Sequence, residues 1–190
     1  MNRILVIGGS AGSFRVVSQL LISLPEDYPW TIIICLHRLK TARTGFKEAL
    51  SICTKFRVKE ALDKERIEPS TAYLAPANYH LLIEYGHRLC LSTDSAVNHS
   101  RPSIDIAMET TAEVFKEKTT GILLSGANMD GAAGMKKIHE HGGVTVVQDP
   151  ASADIKTMPQ AVIDLFKPDH IFDEEGIISY VNKLNVKDLS

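Results

Sequence analysis

The stretch Val6-Ile7-Gly8-Gly9-Ser10-Ala11-Gly12-Ser13 carries an apolar, β-branched run into an amphipathic segment with only small residues between them. A strand that turns straight into a helix points to an α/β architecture and holds one side chain at the C-terminal edge of a sheet. Gly8, Ser10 and Gly12 match G-x-S-x-G, the spacing of a nucleophile elbow, in which small neighbours permit a sharp turn and expose the hydroxyl. A phosphate-cradling loop is the competing reading, because backbone N–H groups at a helix N-terminus attract anions. The segment has neither the G-K-[ST] end of a Walker loop nor a complete G-x-G-x-x-G, which weakens that alternative.

Apolar runs rich in β-branched residues recur at 3–7, 30–36, 121–124 and 143–147, each followed by a polar or glycine-rich break, and read as central parallel strands. Between them lie helical patterns. One holds Phe14, Val17, Leu20, Leu21 and Leu24; another places Ile104, Ala107, Met108, Thr111, Ala112 and Phe115 on one face. Residues 80–84 and 88–92 flank Tyr85-Gly86-His87 and predict an antiparallel hairpin appended to the sheet. The expected fold is therefore α/β, a doubly wound, mostly parallel sheet in three layers with an added hairpin. Residues 183–190 are expected to be a loosely held end.

With 190 residues, 44% of them hydrophobic and 23% charged, the chain can bury one sizeable core, and no linker or repeat divides it. A single domain over 1–190 is the expectation. The net charge of -2 provides no overall basic field for nucleic acid or an anionic membrane. Cys35, Cys53 and Cys90 form an odd set without C-x-x-C spacing, which argues against a disulfide framework or a zinc ribbon and suits a reducing cytoplasm. No apolar stretch is long enough for a signal peptide or a membrane span.

A serine hydroxyl is a weak nucleophile at neutral pH and needs a base within hydrogen-bond reach and a carboxylate to orient that base. His37 follows the second strand as Ser10 follows the first, and Asp130 lies in the loop after the strand at 121–124. Parallel strands deliver all three to one sheet edge. Each also has a plainer role open to it: Ser10 or Asp130 as a helix cap, His37 as a loop histidine bonded to backbone. The order Ser, His, Asp differs from the Ser, Asp/Glu, His of an α/β-hydrolase, so the scaffold is a different one.

At this point the chain resembles the catalytic domain of the CheB-type chemotaxis receptor methylesterases. The resemblance rests on Ile7-Gly8-Gly9-Ser10-Ala11-Gly12, Ile34-Cys35-Leu36-His37, Ala72-Tyr73-Leu74-Ala75-Pro76-Ala77-Asn78-Tyr79-His80 and Arg101-Pro102-Ser103-Ile104-Asp105. It continues through Leu124-Ser125-Gly126, Met129-Asp130-Gly131-Ala132-Ala133-Gly134-Met135 and Gln148-Asp149-Pro150-Ala151-Ser152 to Met158-Pro159. It implies Ser10 as nucleophile, His37 as general base and acid, and Asp130 as its orienter. The implied substrates are γ-glutamyl methyl esters on the helical cytoplasmic region of chemoreceptors or similar signalling proteins, with glutamine deamidation as a related activity. Neither cofactor nor metal is called for.

The backbone N–H groups of Ala11 and Ala127 are the expected oxyanion donors. His80 is expected either at the substrate rim or as a strand-end histidine bonded to a neighbouring loop, and Arg101 as a structural or substrate-rim residue. Two departures from the family pattern matter. Ala11-Gly12-Ser13 stands where threonine and two glycines are usual, and Ala127 stands where the loop before the aspartate usually has methionine. Family members usually carry an N-terminal receiver domain, whereas Met1 lies just before the first strand here; the expectation is a freestanding member, served by a separate receiver or other regulatory protein, with a fragment of a longer protein as the alternative. Competing functions are hydrolysis of another ester or amide, a non-catalytic module that binds signalling helices, and nucleotide binding.

Other residues have simpler readings. Asp105 in a first helical turn suits the helix dipole without a functional role. His139-Glu140-His141 lacks the H-E-x-x-H spacing of a zinc site and reads as a helix C-terminus. Lys116-Glu117-Lys118 and the mixed segment 59–68 read as solvated faces.

Overall fold

The computed structural model describes residues 3–37, 45–52 and 54–187. The elements run β1 (Ile4–Gly9), α1 (Ser13–Ser23), β2 (Thr31–Leu36), α2 (Phe46–Ile52), β3 (Arg57–Glu60), β4 (Thr71–Leu74), β5 (His80–Glu84), β6 (Arg88–Ser92) and α3 (Ile104–Phe115). A 3-10 turn at Lys116–Lys118 leads to β7 (Thr119–Leu123), α4 (Ala132–Glu140), β8 (Val144–Gln148), α5 (Thr157–Leu165), β9 (His170–Phe172) and α6 (Glu174–Lys187). Seven strands pair in the order β3-β4-β2-β1-β7-β8-β9, all parallel.

Both faces of the sheet are covered, so its central strands are apolar throughout rather than alternating. Ile4 and Val6 of β1 pack on one side with Ile104, Met108, Met135, Ile138 and Val162 of α3, α4 and α5. Leu5 and Ile7 pack on the other with Val17, Leu21, Leu50, Ile177 and Val181 of α1, α2 and α6. Helix α3 approaches β1 so closely that a Cβ on Gly8 would collide with the Ile104 side chain.

The hairpin forms where expected, but as its own two-stranded sheet rather than as an extension of the main one. It packs on α3 through Leu81, Ile83 and Leu89, and Ile83 N–H donates to Thr110 Oγ1 at 3.1 Å. Strands β3, β4 and β9 are unforeseen in the sequence reading, as are α2, α5 and α6. At the C-terminus α6 continues through Lys187, and 188–190 lie outside the described residues. Within 59–68, Lys59 and Glu65 are part-buried and paired, so that segment is not a freely solvated face.

Candidate active site

The parallel register sets the site. Gly9 of β1 pairs with Leu36 of β2, and His37 N–H donates to Gly9 O at 3.0 Å. On the other side Leu124 N–H donates to Gly8 O and Ser10 N–H donates to Ser125 O, at 2.9 and 2.8 Å. Ser10, His37 and the loop leading to Asp130 therefore leave three adjacent strands at one level. Here the doubly wound topology presents its C-terminal edge.

The Ser10 turn is held through its backbone. Ser10 O accepts from Ser13 N–H at 3.1 Å, and Ser13 Oγ donates to Ser125 O at 2.7 Å. Ser125 also donates its hydroxyl to Ala11 O at 2.8 Å, and Gln148 Oε1 accepts from Ser125 N–H at 2.8 Å. Gly12 caps α1 at φ 85, a left-handed conformation that a side chain resists. Neither Ala11 N–H nor Ala127 N–H has a partner among the described residues, and both alanines are exposed. Both N–H groups are thus uncommitted among the described residues.

Asp130 is held the opposite way, by its side chain. Its buried carboxylate accepts from His37 Nε2 at 2.7 Å, Ser103 Oγ at 2.9 Å, Ile104 N–H at 2.8 Å and Asp105 N–H at 3.1 Å. Burial pushes its pKa up, but the His37 hydrogen bond and the two backbone N–H bonds outweigh burial, and the net value lies below the ordinary one. The carboxylate is ionised near neutrality and acceptor-only, so His37 Nε2 is the donor of this bond, and in the neutral imidazole Nδ1 carries the lone pair. The His37 side chain retains 14% exposure, whereas that of Asp130 has none. No hydrogen bond joins the Ser10 hydroxyl to His37 among the described residues. Such contacts often close only when substrate binds.

Sequence reasoning missed the support behind Asp130. Gly131, rather than Asp130, is the N-cap of α4, and the Asp130 side chain caps α3 instead. Asp105 returns the favour: its Oδ1 accepts from Gly131 and Gly134 N–H, both at 2.8 Å, and its Oδ2 from Asn98 Nδ2 at 3.0 Å. Two helices thus exchange carboxylate caps. Asp105 lies in the first turn of α3, as expected, but it is also buried, and burial together with the neighbouring Asp130 charge pushes its pKa up to about 6 against the pull of the glycine N–H groups. The signal in the sequence was Ser103, two residues before Asp105, which does cap α3 by accepting from Ile106 N–H.

His80 does not line a cleft. It is fully buried, accepts from Ser103 N–H through Nδ1 at 3.1 Å and bonds Ser95 O through Nε2 at 3.1 Å. The backbone donor fixes the tautomer, and the ring braces the segment that carries Ser103. Arg101 does line a cleft of about 440 Å³, together with Glu60, Asn78, Tyr79 and Thr93. The remaining singled-out residues take structural positions: His139 lies against Phe166, and Cys35 is buried at the end of β2. Cys53 lies outside the described residues.

The comparisons with known proteins place the chain in a family. The family model described as CheB methylesterase matches residues 5–181. A Leptospira interrogans protein, provisionally named a protein-glutamate methylesterase/protein-glutamine glutaminase, is 40% identical over 185 residues, covering 97% of this chain and 96% of its own. A protein-glutamate methylesterase/protein-glutamine glutaminase of Carboxydothermus hydrogenoformans is 36% identical over 169 residues, 86% of this chain but 50% of that protein. The crystal structure of the Thermotoga maritima CheB methylesterase catalytic domain superposes with a TM-score of 0.91 at 27% identity, over 97% of this chain and 99% of that one. The chain belongs to the CheB methylesterase family.

Proposed function

We propose that the chain hydrolyses γ-glutamyl methyl esters on a polypeptide, with Ser10 as nucleophile, His37 as general base and acid, and Asp130 as the orienting carboxylate. The observation that carries this is the 2.7 Å contact between His37 and a fully buried Asp130, at the sheet edge where Ser10 emerges. The proton passes from the Ser10 hydroxyl to His37 Nδ1 as the oxygen attacks the ester carbonyl. Ala11 and Ala127 N–H donate to the oxyanion. Collapse of the tetrahedral intermediate breaks the C–O bond, and the His37 proton leaves with methanol. Water, losing its proton to His37, then attacks the acyl-serine; glutamate is released and the proton returns to Ser10. An amide at the same carbon would release ammonia, giving glutamine deamidation as a second activity.

A polymeric substrate suits the surface. Beside the Asp130 loop lies an open groove of about 700 Å³ lined by Met129, Lys156, Gln160, Ala161 and Leu165. Met129 is 62% and Leu165 46% exposed. Open apolar surface of this kind fits a polypeptide segment such as a signalling helix better than an isolated small ester, which is usually enclosed. Among the described residues no helix is long and apolar enough to cross a membrane. We place the activity in the cytoplasm, acting on the cytoplasmic helices of a chemoreceptor or a related signalling protein.

The test is methanol release from a receptor fragment methylated at glutamate, comparing the wild-type chain with Ser10→Ala. Release by wild type alone supports the proposal. Equal release by both removes Ser10 as nucleophile, and release by neither points to a module that only binds.

A further inference from the structure

The segment between β8 and α5 straps the nucleophile turn. Gly126 N–H donates to Ile155 O at 3.1 Å and Met158 N–H donates to Gly126 O at 2.9 Å, and a Cβ on Gly126 would stand 3.0 Å from Ser10 Cβ. Ile155 N–H also donates to Ser125 Oγ at 2.9 Å, the hydroxyl that in turn holds Ala11 O. At the start of this strap Asp154 lays its side chain on the turn itself: a Cβ on Gly12 would collide with Asp154 Cβ, Cγ and Oδ2. Ser10 and Gly12 are two Cα steps apart, at most about 7.6 Å. The Asp154 carboxylate therefore stands beside the nucleophile, next to the exposed Ala11.

Its oxygens are uncommitted. Asp154 is exposed, and its carboxylate has neither a hydrogen bond nor an ion pair among the described residues. Arg15, in the first turn of α1, is taken by Glu174 at 2.6 Å, and Lys156 lines the groove beside Met129. Helix α1 has no acidic residue in its own first turn, so a negative charge at this end suits its dipole. That role needs only the charge and leaves both oxygens open to a cation arriving with the substrate. On a helical polypeptide, side chains three or four residues apart stand about 5–6 Å from each other on one face. With an ester carbonyl at Ser10, a side chain one turn away falls within reach of Asp154.

We infer that Asp154 is a subsite for a basic side chain, lysine or arginine, one helical turn from the ester-bearing glutamate of the polypeptide substrate. This rests on the ester reading above, and binding without turnover tests it separately.

Three fluorescent helical peptides would be compared, identical except that the residues three and four positions to either side of one glutamate methyl ester are Lys, Gln or Glu. In a Ser10→Ala background, which prevents turnover, the Lys peptide should bind about three- to fivefold more tightly than the Gln peptide, the yield of one exposed charge pair, and the Glu peptide should bind most weakly. Adding Asp154→Asn, which keeps the shape and removes the charge, should bring the Lys and Gln peptides to parity. Asp154→Lys should reverse the order, so that the Glu peptide binds more tightly than the Lys peptide. Equal binding of the Lys and Gln peptides in the Ser10→Ala background would overturn the subsite. A Lys preference that survives Asp154→Asn would overturn it too, and would leave Asp154 only its place at the end of α1. Methanol release by the wild-type chain is scored separately, so its absence would remove the ester chemistry without being mistaken for failure of the subsite.

Discussion

Ser10 and Asp130 emerge at the same sheet edge, yet one is fixed by its backbone and the other by its side chain. Ser10 has its N–H and C=O bound within the 10–13 turn and to Ser125, while its hydroxyl bonds nothing among the described residues. Asp130 has its carboxylate gripped by four donors. The contrast fits the tasks proposed above. A nucleophile must swing between base and substrate, so only its backbone can be held. An orienting carboxylate has to stay still and ionised, so its oxygens are the part to clamp.

The strongest way to break this contrast is Ser10→Ala. Methanol release should fall by roughly 10⁶-fold, as when a triad nucleophile is removed, while stability to urea changes by less than about 0.5 kcal/mol because the hydroxyl has no partner to lose. A large loss of stability would show that the side chain is structural after all.

Next comes Asp130→Asn, expected to lower kcat by about 10⁴-fold through the wrong His37 tautomer. A loss under about tenfold would mean that Asp130 matters only as a cap for α3 and not as a charge beside His37.

Asp105→Ala probes the exchanged cap. It leaves the N–H groups of Gly131 and Gly134 buried and unpaired, and should cost about 2–4 kcal/mol in urea unfolding. Its charge can be read separately with Asp105→Asn. The Asp105 pKa is raised to about 6 in the fold, above its usual value of roughly 3.9 when unfolded, so ionising it works against folding. Its contribution is most favourable below about pH 4 and is lost as pH rises through about 6. The stability of Asp105→Asn relative to wild type should therefore improve between those limits, and a gap that stays flat would contradict the raised pKa.

The smallest effect is expected from Ser125→Ala, which releases Ala11 O and loosens the nucleophile turn while leaving every triad side chain in place. A fall in kcat of up to about 10²-fold with KM nearly unchanged is the expected signature of a misplaced hydroxyl. A change in KM alone would shift Ser125 from the nucleophile turn to substrate binding.

Much of this was legible from residue types. β1, β2, β7 and β8 stood out because strands buried on both faces read as unbroken β-branched runs. α3 was found at its full length, from Ile104 to Phe115, because its apolar face recurs with the helical period. β3 and β9, at the two edges of the sheet, are short and only partly buried, with charged or aromatic residues in place of an apolar run. Nothing in Arg57-Val58-Lys59-Glu60 distinguishes such a strand from a solvated loop. The triad candidates were visible because the chemistry demands particular side chains, whereas the appended hairpin gave away its pairing but not its independence from the main sheet.

What the sequence determined by itself was which groups stand at the ends of parallel strands: a hydroxyl at 10, an imidazole at 37 and a carboxylate at 130. The tertiary structure alone decided how they are held. Asp130 and Asp105 are 25 residues apart and each caps the other's helix through backbone N–H groups. Every non-proline residue carries such an N–H, so no residue type announces it as a partner; only the packing of α3 against α4 brings the donors to the acceptors.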